Sequence, residues 1–493
     1  MVETSIHEAF LRRLNEAPEA PVAICAEREW SVGDLHRLTD ALVPRLRAAG
    51  LGPGQLVSLE APSGPGFLGA FLALRRVGCA ALLLGTGLAA SEAREIRRRL
   101  GTRGRLAAPP WPETVEDLEL AAENPEHPAD LEPDIAVVKL TSGSTGTPRG
   151  ILVSGAALLA DDRALASSME LRDDERILVA VPMAHSYGLA SVALPALVRP
   201  STLILPAGGN PFAALQAGHR HGATFLPTVP AYLQALLKKQ EPPPWPETLR
   251  LTITAGAPLL PETARRFRQA YGRSIHVFYG SSESGGITYD RRGDAGERGS
   301  LGTPVTGVEI ELEAAGGAPG GDRGLVTVRS PAVARAYLDR DTEVNGDPEL
   351  PSSNLHAPNL HDGCFRTNDL AELRGGELFL LGRVDDVINI KGKKVHPREI
   401  EAVLRRQPGV DDAAVLAVER PGGGELLRAV VASTDREIDQ ESVQAWCRRH
   451  LAAHKVPRSL ILLPALPRTD RGKLDRRALY RLEDGLSAED QRG

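Results

Sequence analysis

A loop rich in glycine and hydroxyl side chains constrains this chain more than any other segment. The apolar run IAVVKL (135–140) predicts a buried strand, and TSGSTGTPRG (141–150) follows it directly. Glycines let several backbone N–H groups point at one ligand, and Ser and Thr hydroxyls donate further hydrogen bonds. The loop lacks the Gly-Lys-Ser/Thr ending of a Walker A motif. It therefore predicts a phosphate-binding loop of another type, whereas on its own a solvated turn would explain the same residues.

Length and charge narrow the class of protein. A chain of 493 residues is too long for one compact core, so we expect two or more domains. A net charge of -6 provides no general attraction to nucleic acid or to an anionic membrane. The first residues lack the apolar region of a signal peptide, and Arg75 and Arg76 interrupt the longest apolar stretch. We therefore expect a cytoplasmic enzyme with no membrane span, and the four scattered cysteines predict buried thiols.

The order of strand-like and helix-like runs predicts the fold class. Their alternation over the first part of the chain indicates an α/β fold with mostly parallel sheets. From about residue 299, glycine-rich strand-like segments predict a small β subdomain. After GRVDD (382–386), a helix, a strand hairpin and a further helix predict a smaller α+β domain. We therefore assign residues 1–383 to an N-terminal core and residues 384–493 to a mobile C-terminal domain.

Four motifs downstream contain single residues with a possible chemical role. In VFYGSSESGG (277–286), Glu283 is suited to bind magnesium, Tyr279 to stack on a base and Ser282 to contact a phosphate. In FRTNDL (365–370), Asp369 is suited to accept both hydroxyls of a ribose. The other two are the charge-rich segment GRVDDVINIKGKKVHPREIE (382–401) and the Gly-Lys turn in LPRTDRGKLDRRAL (466–479). Taken singly, each motif is also explained as a turn or a solvated charged face.

The order and spacing of these motifs resemble the adenylate-forming superfamily over nearly the whole chain. That superfamily comprises acyl- and aryl-CoA ligases, the adenylation domains of peptide synthetases and firefly luciferase. TSGSTGTPRG is similar to its phosphate loop, YGSSE to its adenine and metal motif, and FRTNDL to its ribose motif. The charge-rich segment resembles its hinge, RTDRGKLDR resembles its catalytic-lysine loop, and VPMAHSYG (181–188) resembles its substrate-side motif.

The sequence departs from the usual motifs of the family at four positions. Arg149 stands where the phosphate loop usually has Lys, and the positive charge is kept. Ser282 replaces the usual Thr and keeps the hydroxyl. Asn368 replaces a Gly in the ribose motif, and Asn389 replaces a common Lys of the hinge segment. The charge or the hydroxyl that the chemistry requires is therefore retained in the phosphate loop and at Ser282.

The resemblance implies a nucleotide site and two catalytic steps. Lys473 would bridge the acid and the α-phosphate of ATP, and Glu283 would hold Mg²⁺. The C-terminal domain would then rotate about Asp385, which would remove the lysine loop from the active site and open the channel for the thiol. The implied nucleotide-binding residues are Thr141, Ser142, Gly143, Ser144, Thr145, Gly146, Arg149, Gly256, Ala257, Pro258, Tyr279, Gly280, Ser281, Ser282, Asp369, Arg383 and Lys394.

The substrate-side motif bears on the kind of acid. Members of the family that activate amino acids have an Asp there to pair with the α-ammonium group, whereas AHSYGLASVAL (184–194) contains no acid. A buried ammonium without a partner is unfavourable, so we expect a fatty, aryl or similar non-amino acid. His185 would lie beside the acyl pocket, whose other candidate residues are Tyr187, Gly188, Phe225, Thr228, Ala255, Gly280 and Gly285.

Several functions remain open from the sequence. The leading hypothesis is a ligase that uses ATP, Mg²⁺ and CoA to convert a small carboxylic acid into its thioester. The alternatives are a free-standing enzyme that loads the phosphopantetheine of an acyl or peptidyl carrier protein, and intramolecular use of the adenylate as in β-lactone synthetases. A non-catalytic nucleotide-binding relative is an alternative from a different class. We expect no nucleic-acid partner and a monomer or homodimer.

Overall fold

The computed structural model divides the chain into two compact units. The first comprises Met1–Ile310 and Thr327–Arg366, and the second comprises Glu311–Val326 and Thr367–Gly493. Residues 367–383 thus belong to the second unit. That the mobile domain begins at residue 384 stays a prediction. The structure describes residues 5–140, 149–208, 210–238, 243–313, 321–338, 355–356, 359–361, 363–384, 388–390, 393–395, 397–419, 425–435, 437–469 and 474–486.

The helices follow the predicted alternation with strands. In chain order they are α1 (Ile6–Glu16), α2 (Val32–Ala48), α3 (Pro65–Arg76), α4 (Ala90–Leu100), α5 (Gly155–Met169), α6 (Ser186–Gly188), α7 (Leu194–Val198), α8 (Pro211–His221), α9 (Pro230–Leu236), α10 (Pro261–Tyr271), α11 (Ala295–Arg298), α12 (Pro397–Leu404), α13 (Gln440–His450) and α14 (Arg476–Leu486). Leu189–Ala193 form a π-helical segment between α6 and α7, and Val115–Asp117 and Ala453–Lys455 form 3₁₀ turns.

The strands of the first part of the chain are β1 (Pro21–Ile24), β2 (Glu29–Ser31), β3 (Leu56–Glu60), β4 (Ala80–Leu84), β5 (Gly104–Ala107), β6 (Glu119–Ala122), β7 (Ile135–Leu140), β8 (Gly150–Ser154), β9 (Arg176–Leu178), β10 (Thr202–Ile204), β11 (Phe225–Thr228), β12 (Leu251–Thr254), β13 (His276–Ser281), β14 (Gly285–Tyr289) and β15 (Thr303–Pro304). The later strands are β16 (Glu309–Glu313), β17 (Arg323–Arg329), β18 (Ala336–Leu338), β19 (Leu355–His356), β20 (Leu360–His361), β21 (Cys364–Arg374), β22 (Glu377–Arg383), β23 (Ile388–Ile390), β24 (Lys393–Val395), β25 (Asp412–Glu419), β26 (Glu425–Ala432) and β27 (Ser459–Leu463).

A nine-stranded sheet positions most of the candidate site. Its order is β15–β14–β13–β12–β11–β9–β10–β1–β2, and the strands from β13 to β1 run parallel to one another. One face packs against α8, α9 and α10 through an apolar cluster that includes Leu226, Leu233 and Phe267. In parallel sheets, ligands bind beyond the carboxyl ends of the strands. The ends of β11, β12 and β13, at Thr228, Thr254 and Ser281, therefore share one functional edge.

An eight-stranded sheet leads into the glycine-rich loop. Its order is β19–β18–β8–β7–β4–β3–β5–β6, with β3 parallel to both β4 and β5, and β4 parallel to β7. Helix α3 is buried along nearly its whole length, from Pro65 to Leu74, as its apolar sequence on all sides predicts. Strand β7 ends at Leu140, immediately before the loop, and β8 returns antiparallel to it. The Ser154 hydroxyl then caps α5 by accepting from the N–H of Ala157.

The second unit is built around a short sheet. Strands β25 and β26 form an antiparallel pair, and β27 adds parallel to β26. Helices α12 and α13 share an apolar cluster with this sheet through Ile400, Val415 and Cys447. Strands β21 and β22 form a hairpin with a two-residue turn, Gly375-Gly376, where both glycines have positive φ as in a type I′ turn. The predicted α/β fold with a smaller α+β C-terminal part is therefore confirmed.

The cysteines differ in how deeply they are buried. All four cysteines are free thiols; Cys79 and Cys447 are buried, and the other two are half-buried. Burial raises the pKa of Cys79 to about 12 and that of Cys447 to about 11, so both remain protonated thiols at neutral pH. Among the described residues, no helix combines the length and the apolar character needed to cross a lipid bilayer.

Candidate active site

Glu283 lies in a short loop, Ser281–Ser284, that we call the acidic loop. The Ser281 hydroxyl accepts hydrogen bonds from the N–H groups of Glu283, at 3.2 Å, and Ser284, at 3.0 Å. The carbonyl oxygen of Glu283 accepts from the N–H of Ala334 at 2.7 Å. Hydrogen bonds thus hold both the N–H and the carbonyl of Glu283, and this limits the positions that its carboxylate can reach.

The Glu283 carboxylate has a neighbour on β18. The Tyr337 hydroxyl donates to Glu283 Oε1 at 3.3 Å. Burial raises the pKa of Tyr337, so the hydroxyl remains a donor, and the positive charge of Arg149 acts in the opposite direction. Arg149 is exposed just before β8, whose Ile151 faces Tyr337 across the sheet. The structure therefore brings the predicted phosphate-loop cation Arg149 to the side of the molecule that holds Glu283.

The residue after the acidic loop must be glycine. Gly285 has φ of +70°, a conformation that side chains with a Cβ rarely adopt. A Cβ at this position would also lie 2.5 Å from Asp161 Oδ1 on α5. The same carboxylate oxygen accepts from the N–H of Gly286 at 2.9 Å. The buried Asp161 thus fixes the start of β14, and the missing side chain of Gly285 leaves room for its carboxylate.

The substrate-side motif contacts the acidic loop directly. Ser186 on α6 and Ser282 are joined by a hydroxyl–hydroxyl hydrogen bond of 2.8 Å. His185 is half-buried as the N-cap residue of α6 and lies beside Gly85. The motif predicted to meet the acid and the motif predicted to meet the phosphates are therefore neighbours in the first unit.

Tyr187 joins this group to the ends of β11 and β12. Its hydroxyl accepts from the N–H of Thr228 at 3.1 Å and donates to the carbonyl of Ile253 at 3.5 Å. Its ring lies 5.9 Å from that of Phe278. Burial raises its pKa, so the phenol stays neutral. Ala255, the residue after β12, belongs to the same group, because its N–H donates to the carbonyl of Thr228.

Three other predicted acyl-pocket residues have clear packing roles. Phe225 is fully buried at the start of β11, roughly 10 Å along the strand from Thr228, so the structure does not bring it to the group around Tyr187. Gly188 is buried, and a Cβ there would lie 2.0 Å from the carbonyl oxygen of Pro182. Gly280 is exposed but close-packed, since its Cβ would lie 2.6 Å from the carbonyl oxygen of Gly285.

The residues predicted to hold the adenine lie at the same edge of the sheet. Gly256, with φ of +83°, and Pro258 are exposed directly after β12 and Ala255, with Ala257 half-buried between them. Tyr279, on the neighbouring strand β13, is half-buried. An exposed backbone turn next to an aromatic ring offers both a flat surface and hydrogen-bonding groups to a base.

The residues predicted to hold the ribose lie together in the second unit. Asp369 on β21 is the register partner of Arg383 on β22, and Asp369 Oδ1 lies 3.6 Å from Arg383 Nε. The N–H of Asp369 donates to the Thr367 hydroxyl at 3.0 Å. An ordinary strand ladder therefore places this carboxylate beside a guanidinium group.

Several predicted residues fall outside the described part of the chain. They are Thr141, Ser142, Gly143, Ser144, Thr145 and Gly146 of the loop, together with Asp385 and Lys473. Lys394 lies on β24 opposite Asn389, and only its backbone is described. Next to the Lys473 segment, Arg468 and Leu474 form an antiparallel bridge, and Arg468 pairs with Asp412 at 2.6 Å.

The donor set of the acidic loop fits magnesium. Mg²⁺ is commonly held by one or two carboxylates, with water and substrate phosphates completing its octahedral shell. Glu283 supplies one hard oxygen donor group in a half-buried loop. Within the part of the chain that the structure describes, no cluster of three or more His, Cys, Asp or Glu side chains is arranged to hold a metal without a substrate. The site thus suits a metal that arrives with a nucleotide.

Three residues that sequence reasoning missed also contact this site. Tyr337 and Lys139 reach the acidic loop from β18 and β7, and Asp161 reaches the adjoining Gly286 from α5. Only Lys139 left a signal in the sequence, as the single charge in the run IAVVKL. Asp161 and Tyr337 stand in segments with no motif.

Together, the fold and the site define an adenylate-forming enzyme. The family described as AMP-binding enzyme matches residues 10–338, and its AMP-binding enzyme C-terminal domain matches residues 399–473. The chain therefore belongs to the AMP-binding enzyme family, within the adenylate-forming superfamily.

Relatives of the chain include CoA ligases and a carrier-loading enzyme. A feruloyl-CoA synthase of an Amycolatopsis species is 31% identical over 94% of this chain and 96% of its own length. A salicyl-AMP ligase / salicyl-S-ArCP synthetase of Mycobacterium tuberculosis is 29% identical over 92% of this chain and 85% of its own length. O-succinylbenzoate CoA synthetase of Bacillus subtilis, solved with ATP and magnesium, has a TM-score of 0.79 and 24% identity, covering 96% of this chain and 99% of that one.

Proposed function

We propose that this protein is an AMP-forming ligase that activates a non-amino carboxylic acid as its acyl-adenylate and transfers the acyl group to CoA. The observation that carries the proposal is the 2.8 Å hydrogen bond between Ser186 and Ser282. It ties the helix expected to meet the acid to the loop expected to meet the phosphates. An acid and ATP must be held side by side for their oxygen and phosphorus atoms to react.

The first step joins two anions. A carboxylate oxygen of the acid attacks the α-phosphorus of ATP, a new C–O–P linkage forms, and the bond to pyrophosphate breaks. When bound, Mg²⁺ neutralises phosphate charge and orients the leaving group. The protein's own contribution is to hold the phosphates with the loop after β7 and to present the Glu283 carboxylate. It also supplies Lys473, whose positive charge would lie between the acid's carboxylate and the α-phosphate. We propose that Asp369 and Arg383 hold the ribose.

The second step uses the adenylate as a leaving group. The sulfur of a thiolate attacks the acyl carbon, the thioester bond forms, and the acyl–oxygen bond breaks to release AMP. We propose that residues 384–493 move about Asp385 between the two steps, so that the Lys473 loop serves only the first. Lys473→Ala should then abolish acyl-AMP formation but still convert supplied acyl-AMP and CoA into thioester. Equal loss of both activities in a folded variant would contradict this division.

The acid is proposed to be aryl or aliphatic and to lack an amino group. Tyr187, Thr228 and Ala255 are the described candidates at the strand ends, and they offer a ring, a hydroxyl and a methyl group rather than a carboxylate for an ammonium. The acids named for two relatives, ferulate and salicylate, make aryl acids the first to test. Hydroxylamine trapping of the adenylate over aryl, fatty and amino acids checks this, and a preference for a zwitterionic amino acid would overturn it.

The thiol acceptor has two candidates. The name of the feruloyl relative gives CoA as the thiol acceptor, whereas the name of the salicyl relative gives a carrier protein. We propose CoA and expect thioester formation with it at a kcat/KM above that with any isolated carrier domain. Radiolabelled acid with each acceptor in parallel tests the choice. We further propose a cytoplasmic monomer or homodimer, which cell fractionation and sedimentation would check.

A further inference from the structure

Lys139 is a buried lysine beneath the acidic loop. It stands on β7 and is only 5% exposed. Its Nζ lies 3.5 Å from the carbonyl oxygen of Ser282, a long hydrogen bond. A buried ammonium is unfavourable unless other charges and dipoles compensate for lost hydration. The charged form of Lys139 therefore depends on the groups of the site around it.

Two carboxylates supply that balance from different elements. Burial lowers the pKa of Lys139, while the negative charges of Asp161 on α5 and Glu283 on the acidic loop act to raise it. Asp161 is itself 4% exposed, so burial raises the pKa of its carboxyl group, while the hydrogen bond from the N–H of Gly286 and the positive charge of Lys139 act to lower it. The next residue, Asp162, is paired with Arg199 at 3.0 Å and so has its own partner. The charge of Lys139 is thus coupled both to a structural carboxylate and to the one expected to bind metal.

We propose that Lys139 and Asp161 act as a pair of opposite buried charges beside the acidic loop, which position that loop and set its affinity for the metal–nucleotide complex. The proposal rests on the proposed function, since it assigns Glu283 to a metal-bound nucleotide. Lys139 acts as a positioning residue, through the Ser282 carbonyl and through its charge. Asp161 counters that charge and holds Gly286, two residues beyond the end of the loop.

The sign of each charge gives opposite predictions for the two residues. A cation near Glu283 repels a divalent metal, so removing the Lys139 charge should strengthen metal binding. An anion attracts the metal, so removing the Asp161 charge should weaken it. Buried charges interact through a low effective dielectric, so shifts of about tenfold in the dissociation constant are expected. If both residues only supported the loop mechanically, both substitutions would weaken metal binding.

The experiment measures binding rather than turnover. Mn²⁺ is titrated into the full chain with a saturating non-hydrolysable ATP analogue that carries a methylene bridge between its α- and β-phosphates. Electron paramagnetic resonance then reports free Mn²⁺. Lys139→Met should lower the dissociation constant for Mn²⁺ about tenfold, and Asp161→Asn should raise it about tenfold. The double variant should lie within about twofold of wild type, because the two opposite charges cancel.

The controls separate charge from folding. Lys238→Met removes an exposed lysine in the same unit and should leave Mn²⁺ binding unchanged. Thermal denaturation and near-UV circular dichroism report whether each variant is folded. Lys139→Gln keeps a donor for the Ser282 carbonyl without the charge and should shift binding in the same direction as Lys139→Met.

The possible results are distinct. Weaker Mn²⁺ binding in both single variants, or no change in folded Lys139→Met and Lys139→Gln, would overturn the charge-pair proposal. Wild-type protein that binds the Mn²⁺ complex yet shows no acid-dependent pyrophosphate exchange would overturn the proposed function instead. The charge test would still be valid in that case, because its readout is nucleotide-bound metal.

Discussion

The two carboxylates expected to hold the nucleotide stand in opposite kinds of structure. Glu283 lies in the acidic loop, whose backbone is fixed by the Ser281 hydroxyl and by Ala334, and Asp161 packs beneath the adjoining Gly285. Asp369 lies on the long strand β21, whose register with β22 sets its position, and its partner Arg383 is 48% exposed. The loop depends on side chains from distant segments, whereas the hairpin depends on its own backbone ladder.

That difference predicts unequal tolerance to substitution. A loop held by packing cannot accommodate added atoms, because each added atom meets a buried neighbour. A hairpin held by main-chain hydrogen bonds accepts side-chain changes as long as its turn survives. We therefore expect the largest effects in the acidic loop and smaller ones in the hairpin.

Gly285→Ala should have the largest effect. The new Cβ would meet the Asp161 carboxylate at 2.5 Å in a backbone with φ of +70°, so we expect a loss of about 3 kcal/mol in the free energy of unfolding. Gly376→Ala in the hairpin turn is the matched control, since its φ of +82° is also positive but nothing lies within 4 Å of its Cβ. It should lose about 1 kcal/mol. Urea denaturation of both variants, followed by circular dichroism, measures the difference, and equal losses would contradict the contrast.

Glu283→Gln should reduce adenylation about 100-fold, because it keeps the shape of the side chain but removes the anionic charge expected at the metal. Acid-dependent exchange of pyrophosphate into ATP is the measurement. Glu95→Gln, a change at an exposed acid paired with Arg98, is the control and should leave the exchange unchanged. Near-normal exchange in Glu283→Gln would place the metal elsewhere.

The sequence anticipates the parts of this site that are local in the chain. Strand β7 ends directly before a polar motif and β13 ends at the first residue of the acidic loop, so the position of the loops at strand ends follows from the pattern of apolar residues. The Asp369–Arg383 pairing is less direct, because the register of β21 with β22 depends on a turn signalled by Gly375-Gly376. The motifs alone name both residues but not their contact.

The sequence does not anticipate contacts made across long separations. Tyr337 reaches Glu283 because β18 pairs with β8, and Asp161 reaches Gly286 from α5. Each is one polar residue in a segment without a motif, so periodicity gives no reason to single it out. Phe225 is named from the sequence as an acyl-pocket candidate, and the structure places it fully buried at the start of β11, so a role beside the acid stays a prediction.

Asp369→Asn should have an intermediate effect. Loss of one charge-assisted hydrogen bond to a ribose hydroxyl corresponds to about tenfold in the KM for ATP, with little change in stability. Glu372→Gln is the matched control, because it changes an acid on the same strand that pairs with Arg374 and Arg323 instead. Steady-state kinetics with ATP as the varied substrate distinguishes the two variants. A rise in KM for the acid but not for ATP would assign Asp369 a different role.

Tyr337→Phe should have the smallest effect, and it tests how far the acidic loop depends on side chains from outside it. The hydroxyl donates to Glu283 Oε1 over 3.3 Å, which is long for a hydrogen bond to a carboxylate, so its removal should raise the Mg²⁺ concentration for half-maximal pyrophosphate exchange only about threefold. Tyr232→Phe removes a hydrogen bond of 3.1 Å to the carbonyl of Pro211, which is not part of the acidic loop, and should leave the Mg²⁺ requirement unchanged. A threefold rise in Tyr337→Phe alone would show that β18 orients the metal-binding carboxylate. An unchanged Mg²⁺ requirement in both variants would mean that the loop's own backbone bonds suffice, and the acidic loop would then be as self-contained as the hairpin.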